Sequence, residues 1–579
     1  MTQPEGAVDG GLDEPTDLEP EQGSLDLAAP EDRHTREEWE AATAAVLRKT
    51  RRLSEDDPDA AVWEKLTRTT LDGIEVTPLG TPDLLDGLVT AGRPTRVGAW
   101  DVRAHLGAGA ATLLNEEARV DLEGGVTSLW VGTDGTDLAT LLDGVLLDLA
   151  PVVLDAPDAP LEAARAFLSY VGGRELAVGT NLGVPATAPD DVLVEAAGLA
   201  RDAGTLAFVV DGTAVHDRGA SDVQELAQSL VLGVRVLRAL ELADVPADEA
   251  ARLVEFRYAA TDEQFPTIAK LRAARRLWAR VLELSSTTGE PVDQRQHVVT
   301  SRPMMTRYDP YVNMLRTTVA AFAAGVGGAD AVTVLPFDSP LGRPDLFGRR
   351  IARNTSHLLV DEAHVAKVAD PAGGAYAVER LTDDLAVAAW ELFGRLEEGA
   401  DLAAEIAATV AAREKQVAQR KRPITGLSEF PNLAETLPDR EPDGRWAEVR
   451  SYGASFEALR DQPAGAHVFL ATMGPVAAHT ARATFATNLL AAGGVAVDVA
   501  GPTADADDLV AAYDGQPVVC LAGADPAYAA WGAAAADALR AAGASYVVVA
   551  GKPADHADDS CAMGVDALAF LTRVREQLA

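Results

Sequence analysis

The sequence predicts an α/β protein: a (β/α)8 barrel followed by a small, doubly wound α/β domain. Two observations carry that expectation. Between Thr127 and Gly374 lie eight short apolar runs, each closed by polar or glycine residues, with segments of helical period between them. Eight strand–helix units in about 250 residues is the span of such a barrel. From Ala464 onward, shorter strand-like and helix-like segments alternate again, the pattern of an open parallel sheet covered on both faces.

Residues 1–34 are rich in Asp, Glu, Gly and Pro and poor in large apolar side chains. Such a stretch cannot offset its ordering entropy, so an acidic, disordered N-terminus is expected. Thr35, with Glu38 three residues on, is a capping box that opens a helix running to about Leu53. Residues 35–126 hold too little periodic apolar surface for a core of their own. They are expected to form an N-terminal arm that wraps a partner rather than a domain.

The barrel is placed over residues 127–411. Its strands are expected at Thr127–Thr133, Val145–Leu154, Glu175–Leu182, Thr205–Thr213, Leu253–Ala260, His297–Arg302, Val332–Asp338 and Lys367–Gly373. Most are rich in Val and Leu, as strands buried on both faces should be. Ser221–Ala239, Glu263–Leu284 and Asp383–Arg413 carry helical period. Residues 412–463, richer in Pro, Arg and Glu, read as a linking belt.

In residues 464–579 strands are expected at Val468–Met473, Val495–Ala500, Val518–Ala522 and Tyr546–Ala550. Helices are expected at Ala477–Ala492, Thr503–Tyr513, Asp525–Ala542 and Leu568–Leu578, the last preceded by a short edge strand. This is a flavodoxin-like arrangement. It would hold ligands at its C-terminal strand ends, near Gly474, Gly501, Gly523 and Gly551.

Charge and composition exclude some functions. A net charge of −39 over 579 residues disfavours nucleic acid, which needs basic patches. The one concentrated basic segment, Arg413–Arg422, reads as a solvated face in the linker. Two cysteines, Cys520 and Cys561, make a disulfide framework implausible. The acidic N-terminus lacks the basic and apolar regions of a secretory signal. No run of 18 apolar residues occurs. A cytoplasmic protein without membrane or nucleic-acid partners is expected.

A barrel keeps its chemistry at the C-terminal ends of its strands. The polar residues expected at that rim are Asn181, Asp211, Tyr258, Asp262, Arg302, Asp338 and Asp370. Rims carry such residues to satisfy backbone ends. No metal-ligand spacing, P-loop or nucleophile elbow accompanies them.

Long collinear stretches then point to a family. They are TTLDGIEVTPLGTPD (69–83), AKLRAARRLWARV (269–281), DPYVNMLRTTVAAFAAGVGGADAVTVLPFD (309–338), FGRRIARNTSHLLVDEAHVAKVADPAGGAYAVERLT (347–382) and VFLATMG (468–474). Over residues 60–579 the chain resembles methylmalonyl-CoA mutase. The resemblance implies adenosylcobalamin-dependent rearrangement of methylmalonyl-CoA and succinyl-CoA, on a barrel followed by a cobalamin-binding-type domain.

The family's site residues are absent from their positions. Its Asp-x-His-x-x-Gly signature supplies the cobalt-ligating His and the Asp that orients it. Here Val476, Ala478 and Ala481 stand at those places. His479 is one residue out of register, a step that turns a helical side chain by about 100°.

In the barrel, GTAVHDRGA (212–220) keeps Gly212, Asp217, Gly219 and Ala220 of the family pattern. Thr213 replaces its Tyr and Ala214 its thioester-binding His, while His216 follows two residues later in what reads as a loop. The channel-lining stretch, TRVGAWDVR (95–103), keeps only Trp100, Val102 and Arg103. Thr95 replaces a Tyr and Gly98 an Arg. In the small domain VCLAGA (519–524) departs from the family's Ser-Ser-Leu-Ala-Gly-Gly.

Scaffold is retained while ligand, electrophile and channel residues change together. The resemblance therefore implies a non-catalytic small subunit with no catalytic, cofactor-binding or metal-binding residues of its own. It would pair with a large subunit of the same family that carries adenosylcobalamin. Two rival readings remain: a barrel enzyme with a different chemistry at its rim, and a self-sufficient mutase using His479 and His216.

Overall fold

The structure, a computed structural model, describes residues 33–107, 109–133, 135–285 and 292–579. The acidic segment expected to be disordered lies almost wholly outside the described residues. The chain divides into two compact units: residues up to 69 with 75–79, and residues 70–74 with 80–579.

The first unit is built on helix α1 (Arg36–Lys49), which opens on the expected capping box: Thr35 accepts from the Glu38 N–H, and Glu38 from the Thr35 N–H. Its last residue, Lys49, falls four residues before the expected limit, with Thr50 as the C-cap. One face buries Ala44 and Leu47 against Leu53 and Val62, and the Trp39 ring meets the Trp63 ring at a tilt, centroids 4.7 Å apart. This segment therefore does have a small core of its own. The sequence reading missed it because the apolar residues come from two helical pieces, Arg36–Lys49 and Val62–Leu66, joined by a polar turn.

The second unit contains a closed barrel of eight parallel strands: β1 (Asp101–Leu106), β2 (Ser128–Gly132), β3 (Val152–Asp155), β4 (Asn181–Pro185), β5 (Leu206–Asp211), β6 (Val254–Ala260), β7 (Arg295–Thr300) and β8 (Ala331–Thr333). β8 closes on β1 through Ala331↔Asp101 and Val332↔Val102. Two assignments need correction. The first strand, Asp101–Leu106, lies inside the segment read as the arm. Lys367–Gly373 is no strand but a 3-10 turn and the turns around Pro371.

The helices that matter below are α2 (Ala111–Glu123), the short α3 (Thr213–Asp217), α4 (Asp222–Glu241), α5 (Gln264–Leu284), α6 (Leu346–His357), α7 (Tyr376–Glu397) and α8 (Leu402–Ala418). Helix α4 begins on a second capping box, Ser221 with Gln224. Helices α4, α5 and α7 pack together outside β6, where Trp278 sits against Phe256 at 4.8 Å.

After a belt containing Ala454–Asp461 as a helix, the small domain forms a five-stranded parallel sheet. Its strands are β9 (Val468–Thr472), β10 (Val497–Val499), β11 (Val518–Ala522), β12 (Tyr546–Ala550) and the edge strand β13 (Asp559–Cys561), in the order β10-β9-β11-β12-β13. Numbered within the domain this is 2-1-3-4-5, the flavodoxin-like order. Its helices include α9 (Val476–Ala492), α10 (Ala533–Ala542) and α11 (Ala567–Leu578). Every strand residue of β9 and β11 is buried, as a sheet covered on both faces requires.

Candidate functional site

Two places in this architecture are built to hold ligands: the barrel axis with its C-terminal mouth, and the crevice at the C-terminal ends of the small sheet. The chain's own side chains cross the barrel axis and enter the crevice, while a cavity of about 410 Å3 stays open at the mouth beside β1 and β8.

In the barrel, residues alternate in and out along each strand. Arg103 of β1 reaches Glu255 of β6 with Nη1 at 2.8 Å. These strands are not neighbours, so the pair crosses the bore. Arg103 Nε also donates to Ser128 Oγ (3.1 Å), and Arg295 Nε to Glu255 at 3.2 Å. Burial pushes the Glu255 carboxyl up, but the Arg103 and Arg295 charges outweigh it, and the net shift is down.

A second layer lies one step along each strand. The Arg257 guanidinium lies 4.0 Å above the Trp130 ring. It donates to His297 Nδ1 (3.2 Å) and Asp211 Oδ2 (2.9 Å), and His297 Nε2–H donates to Thr333 Oγ1 at 2.8 Å. Burial, with the Arg103 charge nearby, holds His297 well below the usual imidazole range. Arg103, Glu255, His297 and Arg257 are all almost fully buried. The axis is a packed polar core.

At the mouth, His216 is not in a loop. It lies on α3, 2% exposed, hydrogen-bonded through Nε2 to Ser301 Oγ at 2.7 Å. Its Nδ1 is 3.8 Å from Glu225 Oε2. Burial, then the Lys270 charge, holds this histidine well below the ordinary range. Glu225 accepts Lys270 Nζ (2.6 Å) and the Ala259 N–H (2.7 Å), and Lys270 also reaches Asp222 at 2.9 Å. Burial still lifts the Glu225 carboxyl to about 7. Thr213 and Ala214 begin the same short helix, with Thr213 Oγ1 donating to Asp211 at 2.5 Å.

The structure sorts the expected rim residues. Asp211, Asp262, Arg302 and Asp338 do follow or end their strands. Arg302 pairs with Asp217 at 2.8 Å, and Asp338 with Arg440 of the belt. Three were misplaced. Asn181 opens β4 and closes its bulge, bonding the Phe208 carbonyl and the Gly183 N–H. Tyr258 faces outward and its hydroxyl accepts from Gln294 before β7. Asp370, on the segment misread as a strand, pairs with Arg272 of α5.

In the small domain, the glycines at the strand ends border a crevice that Tyr528 and Arg482 enter. The Tyr528 hydroxyl accepts from the Gly523 N–H (3.0 Å) and lies within hydrogen-bonding distance of the Leu521 and Ala550 carbonyls at 3.0 and 2.9 Å. Arg482 donates to the Gly523 carbonyl (2.6 Å), and its guanidinium lies 4.9 Å from the Tyr528 ring. A β-carbon added to Gly551 would meet Tyr528 at 3.5 Å. The sequence reading passed over both residues. The signal was an aromatic residue set among alanines just past the Gly523 strand end.

Val476, Ala478 and Ala481 open α9, at the edge of this crevice. His479 Nδ1–H donates to the Gly474 carbonyl at 3.1 Å, so it braces the helix start as a buried histidine. Among the described residues no group of three His, Cys, Asp or Glu side chains is placed to hold a metal ion. No helix there is long and apolar enough to cross a membrane.

These features define a class: a (β/α)8 barrel joined to a flavodoxin-like domain. The family described as Methylmalonyl-CoA mutase matches residues 204–489. The Methylmalonyl-CoA mutase small subunit of Streptomyces virginiae is 44% identical over 96% of this chain and 98% of its own length. That of Propionibacterium freudenreichii subsp. shermanii is 34% identical over 93% and 92%. The probable methylmalonyl-CoA mutase small subunit of Mycobacterium tuberculosis (strain ATCC 25618 / H37Rv) is 40% identical over 89% and 92%. The chain belongs to the methylmalonyl-CoA mutase family, and its like-sized relatives carry the small-subunit name.

Proposed function

We propose that this chain is the catalytically inactive small subunit of a cytoplasmic, heterodimeric, adenosylcobalamin-dependent methylmalonyl-CoA mutase. In this reading a large subunit of the same family binds the cofactor and interconverts methylmalonyl-CoA and succinyl-CoA. The observation that carries the reading is that the chain's own side chains cross the barrel axis and enter the small-domain crevice. Arg103–Glu255 and Trp130–Arg257 occupy the barrel axis. Tyr528 and Arg482 occupy the small-domain crevice.

Cobalamin does not fit this chain's residues. The family's ligating histidine and its orienting carboxylate have no counterparts at their positions, and His479, one residue out of register, is buried against the helix start. Ala478 and Val476 offer no ligand and no orienting group.

A stabilising role is consistent with pairing between copies of one fold about a pseudo-twofold axis. Of the segment read as an arm, the part before the first barrel strand, with the helix Arg36–Lys49, is the part proposed to reach the partner.

The test is co-expression with an adjacent large-subunit homologue. The expected result is a co-eluting pair, one of each, with cobalamin lost when the large subunit is omitted. Removing residues 1–60 should weaken the pair. The purified chain alone, mixed with adenosylcobalamin, should leave its visible spectrum unchanged on gel filtration. Displacement of the lower axial base by a protein histidine, or a chain that stays monomeric beside the large subunit, would overturn the reading.

A further inference from the structure

The helix Val312–Val326, between β7 and β8, has an outer face that nothing covers among the described residues. Its sequence, VNMLRTTVAAFAAGV, holds one charged residue in 15. At the chain's 24% charged content about three or four would be expected. The one charge, Arg316, does not face water. It is buried and donates to Asn313 Oδ1 (2.7 Å), Thr306 Oγ1 (3.1 Å) and the Thr425 carbonyl (2.8 Å). Thr317, Ala320, Ala321 and Ala324 make the buried inner face. Outward, Leu315 and Thr318 are exposed, Met314 and Val319 are half-buried, and Tyr311 stands open at the helix start. A surface helix keeps charges on its wet side, and one that is apolar all round belongs inside a larger body.

The apolar face continues onto α6, which packs beside this helix. The Tyr311 ring stacks on Phe337 with centroids 5.4 Å apart, and Phe337 meets Phe347 edge to face at 5.8 Å. Phe337 is buried, but Tyr311 is 65% and Phe347 43% exposed, and Leu315 and Leu346 are open at 68% and 70%. Exposed apolar residues scattered singly need no explanation; four of them on two adjacent helices, joined through a set of rings, form a patch that marks an interaction surface. The rings hold one another in place, so a partner that covers them immobilises little. Aromatic side chains without Lys, Glu or Asp among them are the composition of an interface centre. Arg350, 5.5 Å from the Phe347 ring, stands at its polar rim.

Charge and composition select the occupant. A second copy of this chain would set −39 against −39, a self-repulsion that keeps proteins monomeric. Residues 1–32 are acidic and poor in large apolar side chains, so they have little to bury here. A different protein chain with an apolar face of its own fits, and the like-sized relatives of this chain are named as small subunits.

We propose that the face built from Tyr311, Leu315, Leu346 and Phe347 is the apolar centre of the surface on which the large subunit docks. The proposal rests on the small-subunit reading and deepens it, by placing the partner on the barrel wall as well as on the N-terminal helix. These four side chains are fewer than the 20–30 residues a side of a stable interface, about 800 Å2 per partner, so they are its centre and not its whole.

Titration of the full-length chain onto immobilised large-subunit homologue tests it. The natural chain should bind. Leu315→Glu should weaken binding at least about tenfold and Tyr311→Glu/Leu315→Glu at least about a hundredfold, because a charge is buried at the interface centre. Both variants should keep the natural melting temperature, since the altered side chains are open in the free chain. Leu242→Glu, at an equally open leucine at the C-cap of α4, should bind as the natural chain does. If the natural chain binds and Tyr311→Glu/Leu315→Glu binds as tightly, this docking face is overturned while the subunit reading stands. If the natural chain does not bind, both fall. A natural chain that sediments as a dimer by itself, and as a monomer once Leu315→Glu is introduced, assigns the face to a second copy and overturns the proposal.

Discussion

The Lys270–Glu225 pair offers a prediction whose size and pH dependence both follow from the structure. Both side chains are fully buried, 2.6 Å apart. Replacing Lys270 by Met leaves Glu225 with the Ala259 N–H and the distant His216 edge as its only polar company. Breaking one side of a buried pair costs about 3–5 kcal/mol. The pH dependence sharpens the test. Glu225 sits at about 7 in the folded chain, above its ordinary value, because burial opposes its charge. A carboxyl raised on folding binds its proton more tightly in the folded state, so its stabilising contribution is present at low pH and is lost as pH rises through about 7. Without Lys270 the folded carboxyl rises further. The two proteins then run parallel below pH 7, and the gap between them widens by about 1.4 kcal/mol per pH unit above it. Urea unfolding followed by tryptophan fluorescence at pH 6, 7, 8 and 9 measures this. Lys270→Met/Glu225→Gln, which keeps an acceptor for the Ala259 N–H, should recover most of the loss at pH 9. A gap that is constant with pH, or a double variant no better than Lys270→Met, would refute the assigned pairing.

Three further outcomes are expected. Arg103→Met should cost about 3–5 kcal/mol by leaving Glu255 short of its main partner, while Arg103→Met/Glu255→Met should regain most of it in the same unfolding assay. Tyr528→Phe removes the hydroxyl that ties Gly523, Leu521 and Ala550 together. It should cost about 1–3 kcal/mol without conferring cobalamin binding, read by melting temperature and visible spectrum. His216→Ala should leave turnover of the reconstituted mutase within about tenfold, equivalent to about 1.4 kcal/mol of barrier, and a larger loss of kcat would show that His216 acts in the chemistry.

The small domain was legible almost residue by residue. Its strands Val518–Ala522 and Tyr546–Ala550 are buried runs of Val, Leu and Ala with Gly just beyond, and nothing competes with that pattern. The first barrel strand was not, and the reason is physical. Asp101–Leu106 alternates Asp, Arg and His with small apolar residues. That pattern normally marks a strand with one wet face, but here the polar side chains point into the bore and find partners there. The same polar bore hides the site's state from sequence alone. Arg103 matches the family pattern, yet only the fold reveals that it spans to Glu255. Lys367–Gly373 was misread because Val368 and Ala369 look strand-like until Pro371 and the glycines turn the chain. His216 was assigned to a loop because a five-residue helix is too short for its period to show.

On the proposed reading, a scaffold without catalysis is not free to leave its sites open. An active site keeps polar groups unpaired and space unfilled because substrate will satisfy both, and without substrate those features cost stability. In this chain the costs are relieved locally. On that reading, the bore that would pass a substrate carries two layers of contacts, the Arg103–Glu255 pair and the Arg257–Trp130–His297 cluster, in which the two rings meet edge to face. The crevice that would take a cofactor tail is closed by one tyrosine hydroxyl, bonded to the backbone ends that a ligand would otherwise meet.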